Sequence, residues 1–217
     1  DYGYHNIDST KTTARIGTMT YTRSASSIRP VPALAYSYDA VGNITKVVSG
    51  TDTLAEYTYD NQNQLVSEDH GQYLTTYTYD TYGNIRSIWV RDSETYSAVL
   101  ETYEFSYADD RDWKDQLTRV TYTDYNSDDK GSGTLTYDAM GNPLTYFNGK
   151  KNWSFTWKYG RQLASATDGT HTITNAYDVD GVRESKTVDG VEHKYVTLDG
   201  KIIRETYGTV TVNYFYD

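Results

Sequence analysis

Residues 77–85 read Tyr-Thr-Tyr-Asp-Thr-Tyr-Gly-Asn-Ile, and this stretch decides the fold because variants of it recur along the whole chain. The phrase joins an aromatic pair at alternate positions, an Asp, a turn with Gly or Asn, and an apolar residue. Close copies begin at residues 36, 57 and 135, and looser copies begin at residues 105, 155, 175 and 214. Such recurrence predicts an array of repeats instead of a globule built around one site.

The second aromatic residue of each phrase marks the period of the array. It falls at residues 38, 59, 79, 107, 137, 157 and 177, so most steps are 20 or 21 residues and two are longer, at 28 and 30. The following gap of 39 residues, up to residue 216, accommodates one degenerate copy around residues 197–202. Polar stretches at 108–115 and 124–133 fall within the long steps. We interpret both as loop insertions, because loops absorb added length at little free-energy cost.

Each phrase has the alternation of a β-strand followed by a tight turn. Tyr77 and Tyr79 lie on one face of an extended segment and Thr78 on the other, which predicts one ring-packed face and one wetter face. Asp80 and Gly83 then take the first and fourth positions of a four-residue turn, where Asp accepts backbone N–H bonds and Gly supplies a positive φ. One repeat is therefore one hairpin. The residues of this structural motif are Tyr36, Tyr38, Asp39, Gly42, Tyr57, Tyr59, Asp60, Tyr77, Tyr79, Asp80, Gly83, Tyr137, Asp138, Gly141, Trp157, Gly160, Tyr177, Asp178 and Gly181.

The sequence predicts an all-β fold of stacked antiparallel hairpins in a curved, spiralling and open sheet. No segment of a dozen residues combines a 3.6-residue apolar period with helix caps. The chain has 24 Tyr against 4 Phe and 4 Trp, and each ring can bury on the order of 150–250 Å², which offsets the low mean hydropathy. We expect degenerate N-terminal repeat and edge strands over residues 1–33, followed by an array of about eight hairpins over residues 34–217, truncated at its C-terminus.

Composition excludes several classes of function. The chain has no Cys, so neither disulfides nor thiolate metal sites can form. A net charge of −10 argues against binding to nucleic acid or anionic lipid. No apolar run approaches the roughly 20 residues that a spanning helix needs, and no signal segment opens the chain. The abrupt first and last residues lead us to expect a piece of a longer polypeptide.

The recurring phrases resemble the Rhs/YD-repeat family, whose members include bacterial Rhs and wall-associated polymorphic toxins, shell proteins of insecticidal toxin complexes, and animal teneurins. The resemblance rests on the form Y-x-Y-D-x-x-G-N/R-I/L and covers the chain from about Leu34. It implies a β-sheet that spirals into a hollow shell around a C-terminal toxic domain. Phrases at 113–118, 137–144 and 160–163 are similar to those of Gram-positive bacteria, which implies a secreted or cell-surface location. The family's cleavage-associated core phrases do not occur here, so we expect an open segment of shell.

We expect a non-catalytic structural segment of such a shell, one that encapsulates or displays a toxin or other C-terminal cargo. Its expected partners are the flanking repeats and the enclosed domain, together with edge-to-edge self-association through unpaired terminal strands. The alternative is a carbohydrate-binding or cell-adhesion module whose exposed aromatic rings stack on sugars. Trp89, Trp113 and Trp153 are its candidate glycan contacts, and Trp157 is shared with the repeat motif.

Other chemistry has weaker support in the sequence. The repeated Asp residues supply the carboxylate pairs of a glycosidase, but all of them occupy one slot of a repeating turn, so we expect turn capping and no catalytic residue. Residues 124–129 resemble the start of a calcium loop with Asp129 in place of Gly, and an acidic hairpin loop is the alternative. Whether residues 124–131 bind calcium stays open. Four scattered His have no metal spacing, residues 131–133 are interpreted as a flexible loop tip, and we expect no cofactor and no metal.

Overall fold

The computed structural model describes residues 2–8, 11–20, 33–92, 94–108 and 113–216. Within these ranges every regular element is a β-strand, and the pairing is antiparallel and not closed into a barrel, which confirms the all-β prediction. No helix long and apolar enough for a membrane crossing occurs in the described part of the chain. The predicted boundary after residue 33 follows residues 21–32, which lie outside the described ranges, as does Asp217. The division into 1–33 and 34–217 stays a prediction.

Eleven strands form the first sheet, in the order of the chain. Neighbouring strands of this sheet are consecutive in the chain, so the strand order contains no crossover. The strands are β1 (Tyr2–Asp8), β2 (Lys11–Met19), β3 (Leu34–Tyr38), β4 (Ile44–Ser49), β5 (Asp52–Tyr59), β6 (Leu65–Asp69), β7 (Tyr73–Tyr79), β8 (Ile85–Asp92), β9 (Val99–Tyr107), β10 (Leu117–Asp124) and β11 (Asp129–Thr134).

Eight strands form the second sheet, again in chain order. The degenerate copy predicted around residues 197–202 is a hairpin closed by Asp199 and Gly200, with φ of 50° and 76°. The strands are β12 (Thr145–Phe147), β13 (Asn152–Lys158), β14 (Gln162–Thr167), β15 (Thr172–Tyr177), β16 (Arg183–Val188), β17 (Val191–Leu198), β18 (Lys201–Tyr207) and β19 (Val210–Asn213).

The interruption between the two sheets falls at the phrase that contains Pro143. Here the ladder is reduced to an isolated bridge between Tyr137 and Pro143. Proline has no backbone N–H to donate, so the ladder lacks one hydrogen bond at this position. Leu144 restores pairing by donating its N–H to the Thr136 carbonyl at 2.7 Å.

The chain divides into two compact units. The first consists of residues 1–104 and 123–130, and the second of residues 105–122 and 131–217. Each unit has a thin core. Among the described residues, Tyr122, at 1% exposure, and Val120 are the largest side chains that are almost completely buried. The paired rings of the repeats are half-buried except for Tyr214 and Tyr216 of the last copy, which are exposed. Half-burial is the expected state of a ring layer with a single sheet behind it.

The prediction of a loop insertion over residues 124–133 is wrong for its second half. Strand β10 continues to Asp124, a turn occupies residues 125–128, and β11 begins at Asp129. Gly131 and Gly133 are strand residues and not a flexible loop tip. The ring of Phe147 fills the space that a side chain at either glycine would need. Glycine in this strand therefore permits close packing of an aromatic ring.

Candidate functional site: the repeated turn and the tyrosine tie

Five of the phrases close with the same set of backbone bonds. At Asp80, the Gly83 N–H donates to the Asp80 carbonyl at 3.2 Å and the Asp80 N–H donates to the Asn84 carbonyl at 2.9 Å. The Asp80 carboxylate accepts the backbone N–H groups of Tyr82 and Asn84, both at 2.9 Å. Each carboxylate therefore acts on its own turn. The equivalent turns begin at Asp39, Asp60, Asp138 and Asp178.

The turn residues stabilise the ionised form of the aspartate. The Asn142 side-chain amide donates to Asp138 at 2.8 Å, and the Asn142 and Met140 backbone N–H groups donate at 2.9 Å. These bonds, with the Asn142 side chain first, hold the pKa of Asp138 below its ordinary value. At Asp39 and Asp80 partial desolvation acts to raise the pKa, but the hydrogen bonds outweigh it and the net pKa is again lowered.

The return strand of the hairpin carries one extra residue at a fixed place. Thr78 pairs with Ser87, whereas the next residue, Tyr79, pairs with Ile85, so that Arg86 is left over. Such a bulge bends the strand and increases its local twist. The bulge therefore changes the direction in which the second aromatic side chain of the phrase points. The same shift occurs at Tyr38, Tyr59, Trp157 and Tyr177.

That second aromatic residue ties its hairpin to the preceding one through a polar atom. The hydroxyl of Tyr79 donates to the carbonyl of Leu65, the first residue of the preceding return strand, at 2.6 Å. Trp157 uses its indole Nε1–H in the same way, donating to the Pro143 carbonyl at 2.7 Å. Equivalent bonds of 2.5–3.1 Å join Tyr38 to Ile16, Tyr59 to Ile44, Tyr137 to Leu117, Tyr177 to Leu163 and Tyr216 to Ile202.

The tyrosine tie is the functional feature that reasoning from the sequence missed. Alternation predicts that a ring packs at this position, and phenylalanine would satisfy that requirement equally well. Only a ring that carries a donor can make the hydrogen bond to the carbonyl of the preceding hairpin. The excess of 24 Tyr over 4 Phe is the signal that could have revealed it.

The opposite face of the sheet carries paired hydroxyl groups, as the alternation predicts. Thr78 Oγ1 lies 2.7 Å from Ser87 Oγ, across the two strands of one hairpin. Such cross-strand pairs add to the stability of a sheet. The other pairs are Thr58 with Ser67, Thr156 with Ser165, and Thr136 with Thr145, at 2.5–2.9 Å.

Successive turns also contact one another. The Asn43 side-chain amide donates to Asn63 Oδ1 in the next turn at 3.0 Å, and the Asn142 amide donates to the Gly160 carbonyl at 2.6 Å. At Gly141, where φ is +83°, the ring of Trp113 lies within 2.6 Å of the position that a Cβ would take. This glycine is required by its backbone conformation and by the neighbouring ring.

The three candidate glycan contacts lie in separate environments. Trp89 is half-buried in β8, with the Arg91 guanidinium 5.2 Å from its ring. Trp113 is 51% exposed and lies against the Gly141 turn, 6.3 Å from the Tyr137 ring. Trp153 is half-buried in β13, opposite Tyr146. Each of the three has its own set of neighbours, and a glycan-binding role for them stays a prediction.

The acidic segment after β10 forms an ordinary capped turn. The Asp124 carboxylate accepts the backbone N–H groups of Asn126 at 2.8 Å and Ser127 at 3.2 Å. Within the described residues no group of three or more potential metal ligands converges. His70, His171 and His193 each lie beside a carboxylate. His171 Nδ1 lies 2.7 Å from Asp189, and His193 Nδ1 lies 2.7 Å from Glu205.

The sequence matches no protein-family model and no curated protein. Solved structures show partial likeness. A TcdB2–TccC3–Cdc42 complex gives a TM-score of 0.36 at 14% identity over 80% of this chain. The Tc holotoxin pore of Photorhabdus luminescens gives 0.40 at 13% identity over 89%. A porin-like protein of Bacteroides uniformis gives 0.41 at 16% identity, covering 85% of this chain and 90% of that one.

The matched region spans only 12–13% of the two toxin-complex chains. Because all three TM-scores are below 0.5, these likenesses add no weight to the proposals below. What supports those proposals is the repeated geometry of the chain itself.

Proposed function

We propose that this chain is a non-catalytic wall segment of an Rhs/YD-repeat shell that encloses or displays a C-terminal toxin or other cargo. The observation that carries the proposal is the tyrosine tie, which recurs in seven phrases, with Trp157 as the donor in one of them, as the same bond to a preceding segment. A unit that binds its neighbour in a constant way propagates a sheet of any length. The turn aspartates are engaged in their own turns, which supports a structural role over catalysis.

The proposal includes the partners and the location. Flanking repeats of the parent protein are the natural neighbours of β1 and β19, the first and last strands in the chain and each an edge strand of its sheet. We place the parent among secreted or cell-surface proteins of bacteria, Gram-positive ones by the form of the phrases. In isolation the outer strands are expected to pair between molecules. Light scattering over a concentration series should show association, which Val210→Lys in β19 should reduce. A concentration-independent monomer would count against edge pairing.

The test of the enclosing role uses the intact parent protein. Limited proteolysis should leave the segment downstream of these repeats protected in the native protein and cleave it rapidly after denaturation in urea. The same downstream segment produced alone is the control and should be degraded at once. Equal cleavage of the downstream segment in the native parent and in isolation would overturn the proposal of encapsulation.

Half-exposure of Trp113 beside a turn favours carbohydrate binding as a second candidate function. A glycan array probed with this chain should then give signals that Trp113→Ala removes. Trp89→Ala serves as the comparison because Trp89 is half-buried in a strand. Absence of any glycan signal for the folded chain would eliminate this candidate and leave the shell proposal unaffected.

A further inference from the structure

The turn between β12 and β13 has the same hydrogen bonds as the turn between β14 and β15, but it begins with an amide instead of a carboxylate. Asn148 Oδ1 accepts the backbone N–H groups of Lys150 at 3.0 Å and Lys151 at 2.8 Å. Asp168 Oδ1 accepts the two equivalent N–H groups of its own turn at 2.9 Å and 2.6 Å. In both turns the first residue donates its N–H to the carbonyl of the fourth. Asn148 therefore occupies a position that also suits an aspartate.

A glycine follows Asn148, and it has no side chain to shield its own backbone nitrogen. Asn148 is the one asparagine of the sequence that precedes a glycine. Asn148 is exposed, whereas Gly149 is buried. Within the described ranges the Gly149 N–H makes no hydrogen bond. A buried donor without an acceptor costs free energy, so a reaction that removes this proton is favoured.

We propose that Asn148 is a site of self-deamidation, in which the backbone nitrogen of Gly149 attacks Asn148 Cγ. The new N–Cγ bond closes a succinimide ring, the bond from Cγ to Nδ2 breaks, and the side-chain nitrogen leaves as ammonia with the Gly149 proton. The two N–H groups on Asn148 Oδ1 stabilise the negative charge that this oxygen carries in the tetrahedral intermediate. Water then opens the ring at either carbonyl and yields aspartate or isoaspartate. This inference does not depend on the shell proposal.

The turn that begins at Asp168 shows why the amide matters. Asp168 is also followed by a glycine, Gly169, and has the same hydrogen bonds from its turn. The His171 backbone N–H and the Lys151 ammonium hold the pKa of Asp168 well below its ordinary value. The carboxylate is therefore ionised, and an ionised carboxylate is a poor electrophile with a poor leaving group. Ring closure is expected at Asn148 and not at Asp168.

The two products should have different effects on the turn. Aspartate keeps the length of the backbone, and its carboxylate makes the bonds from Lys150 and Lys151 charge-assisted. Isoaspartate leads the backbone through the former side chain and so inserts an extra atom into the turn. The turn places Lys151 Nζ 2.6 Å from Asp168 in the next hairpin. Isoaspartate should therefore weaken this link between neighbouring hairpins, whereas aspartate should preserve it.

The test is peptide mapping by mass spectrometry of the folded full chain after ageing in mildly alkaline buffer. The peptide that contains residue 148 should gain the mass of an amide-to-acid exchange, whereas the peptides that contain Asn84 and Asn142 should stay unchanged. Asn148→Ser cannot close the ring, and it is the matched control that should form no acidic species. An intact Asn148 after a synthetic peptide of residues 145–152 has lost its ammonia would overturn the proposal. Isoaspartate formation at Asp168 as fast as at Asn148 would overturn the role of the amide.

Melting curves of the separated forms test the effect on the turn. Chromatography of the aged chain separates the native, aspartate and isoaspartate forms, and the variant Asn148→Asp is the standard for the aspartate product. The aspartate form should melt at or above the temperature of the native chain, and the isoaspartate form should melt below it. An isoaspartate form that melts with the native chain would overturn the proposed weakening of the link between Lys151 and Asp168.

Discussion

At the scale of single residues, the tyrosine hydroxyl separates this array from a simple stack of rings. Packing alone places an aromatic residue at the second position of the phrase. The donor on that residue makes a hydrogen bond to a carbonyl at the start of the preceding return strand, beside the bulge of that hairpin. Trp157 shows that the donor matters more than the ring type, since an indole N–H makes the same bond.

Removal of one such donor should have a measurable cost. Tyr79→Phe keeps the ring and deletes the bond to the Leu65 carbonyl, so the free energy of unfolding should fall by about 1 kcal/mol. Tyr82→Phe is the control, because Tyr82 is 70% exposed, and it should change stability by less than about 0.5 kcal/mol. Urea unfolding followed by circular dichroism measures both. Equal effects of the two substitutions would contradict a structural role for the tie.

The turn aspartates should make the fold sensitive to acid. The pKa of Asp138 in the folded chain is below its unfolded value of about 3.9. Its contribution to stability is therefore present above the unfolded pKa and is lost as the pH falls through the folded pKa. Melting temperatures between pH 6 and pH 2 should fall less steeply for Asp138→Asn than for the native chain. A slope for Asp138→Asn equal to that of the native chain would contradict this origin.

At the scale of elements, the turn is the point where adjacent hairpins interlock. Gly141 has φ of +83° and the Trp113 ring beside it, whereas Gly71 has φ of +80° and open space around its Cβ position. Comparing substitutions at the two glycines therefore distinguishes the cost of backbone strain from the cost of a steric clash. Both are needed for their turns, but only Gly141 also seats a neighbouring side chain.

Alanine substitution at the two glycines should distinguish these effects. Gly71→Ala should destabilise the fold by roughly 1–2 kcal/mol through the left-handed backbone alone. Gly141→Ala should cost more, because the Trp113 ring must also move. Thermal unfolding followed by near-ultraviolet circular dichroism reports both stability and the Trp environment. Equal destabilisation with an unchanged Trp signal would show that the ring contact contributes nothing.

At the scale of the whole molecule, the phenol groups whose pKa is raised should make the fold sensitive to alkali. Desolvation raises the pKa of Tyr59, Tyr79 and Tyr137, each of which donates a tie. The hydrogen bond to Glu205 raises the pKa of Tyr214 to about 12. A folded pKa above the unfolded value of about 10 means that stability is full below pH 10 and is lost as the pH rises through the folded values.

An alkaline titration tests this collective effect. Between about pH 10 and pH 12, circular dichroism should show cooperative loss of strand signal together with the rise of tyrosinate absorbance. The free energy of unfolding of the double variant Tyr79→Phe, Tyr137→Phe should fall less over this interval than that of the native chain. The reason is that two of the tyrosines with a raised pKa have been removed. If the double variant unfolds over the same pH interval and as steeply as the native chain, ionisation of these tyrosines is not the cause of the alkaline unfolding.

The sequence by itself determined the class of structure, the hairpin period and the chemistry of the turns. These follow from local preferences: alternation along Tyr77–Tyr79, an Asp that caps the turn, and a glycine or Asn63 with positive φ. Local polarity also misled, since the Gly-rich stretch 131–133 reads as a loop but is a strand packed against Phe147.

Only the tertiary structure decided where side chains of one hairpin act on another. The partner of the Tyr79 hydroxyl, the ring against Gly141 and the ion pair of Lys151 with Asp168 depend on residues 14 or more positions away along the chain. Such contacts depend on the pairing register between hairpins, and that register is fixed by stacking, not by local preference. The break at Pro143 is of the same kind, because a missing donor matters only where a neighbouring strand needs it.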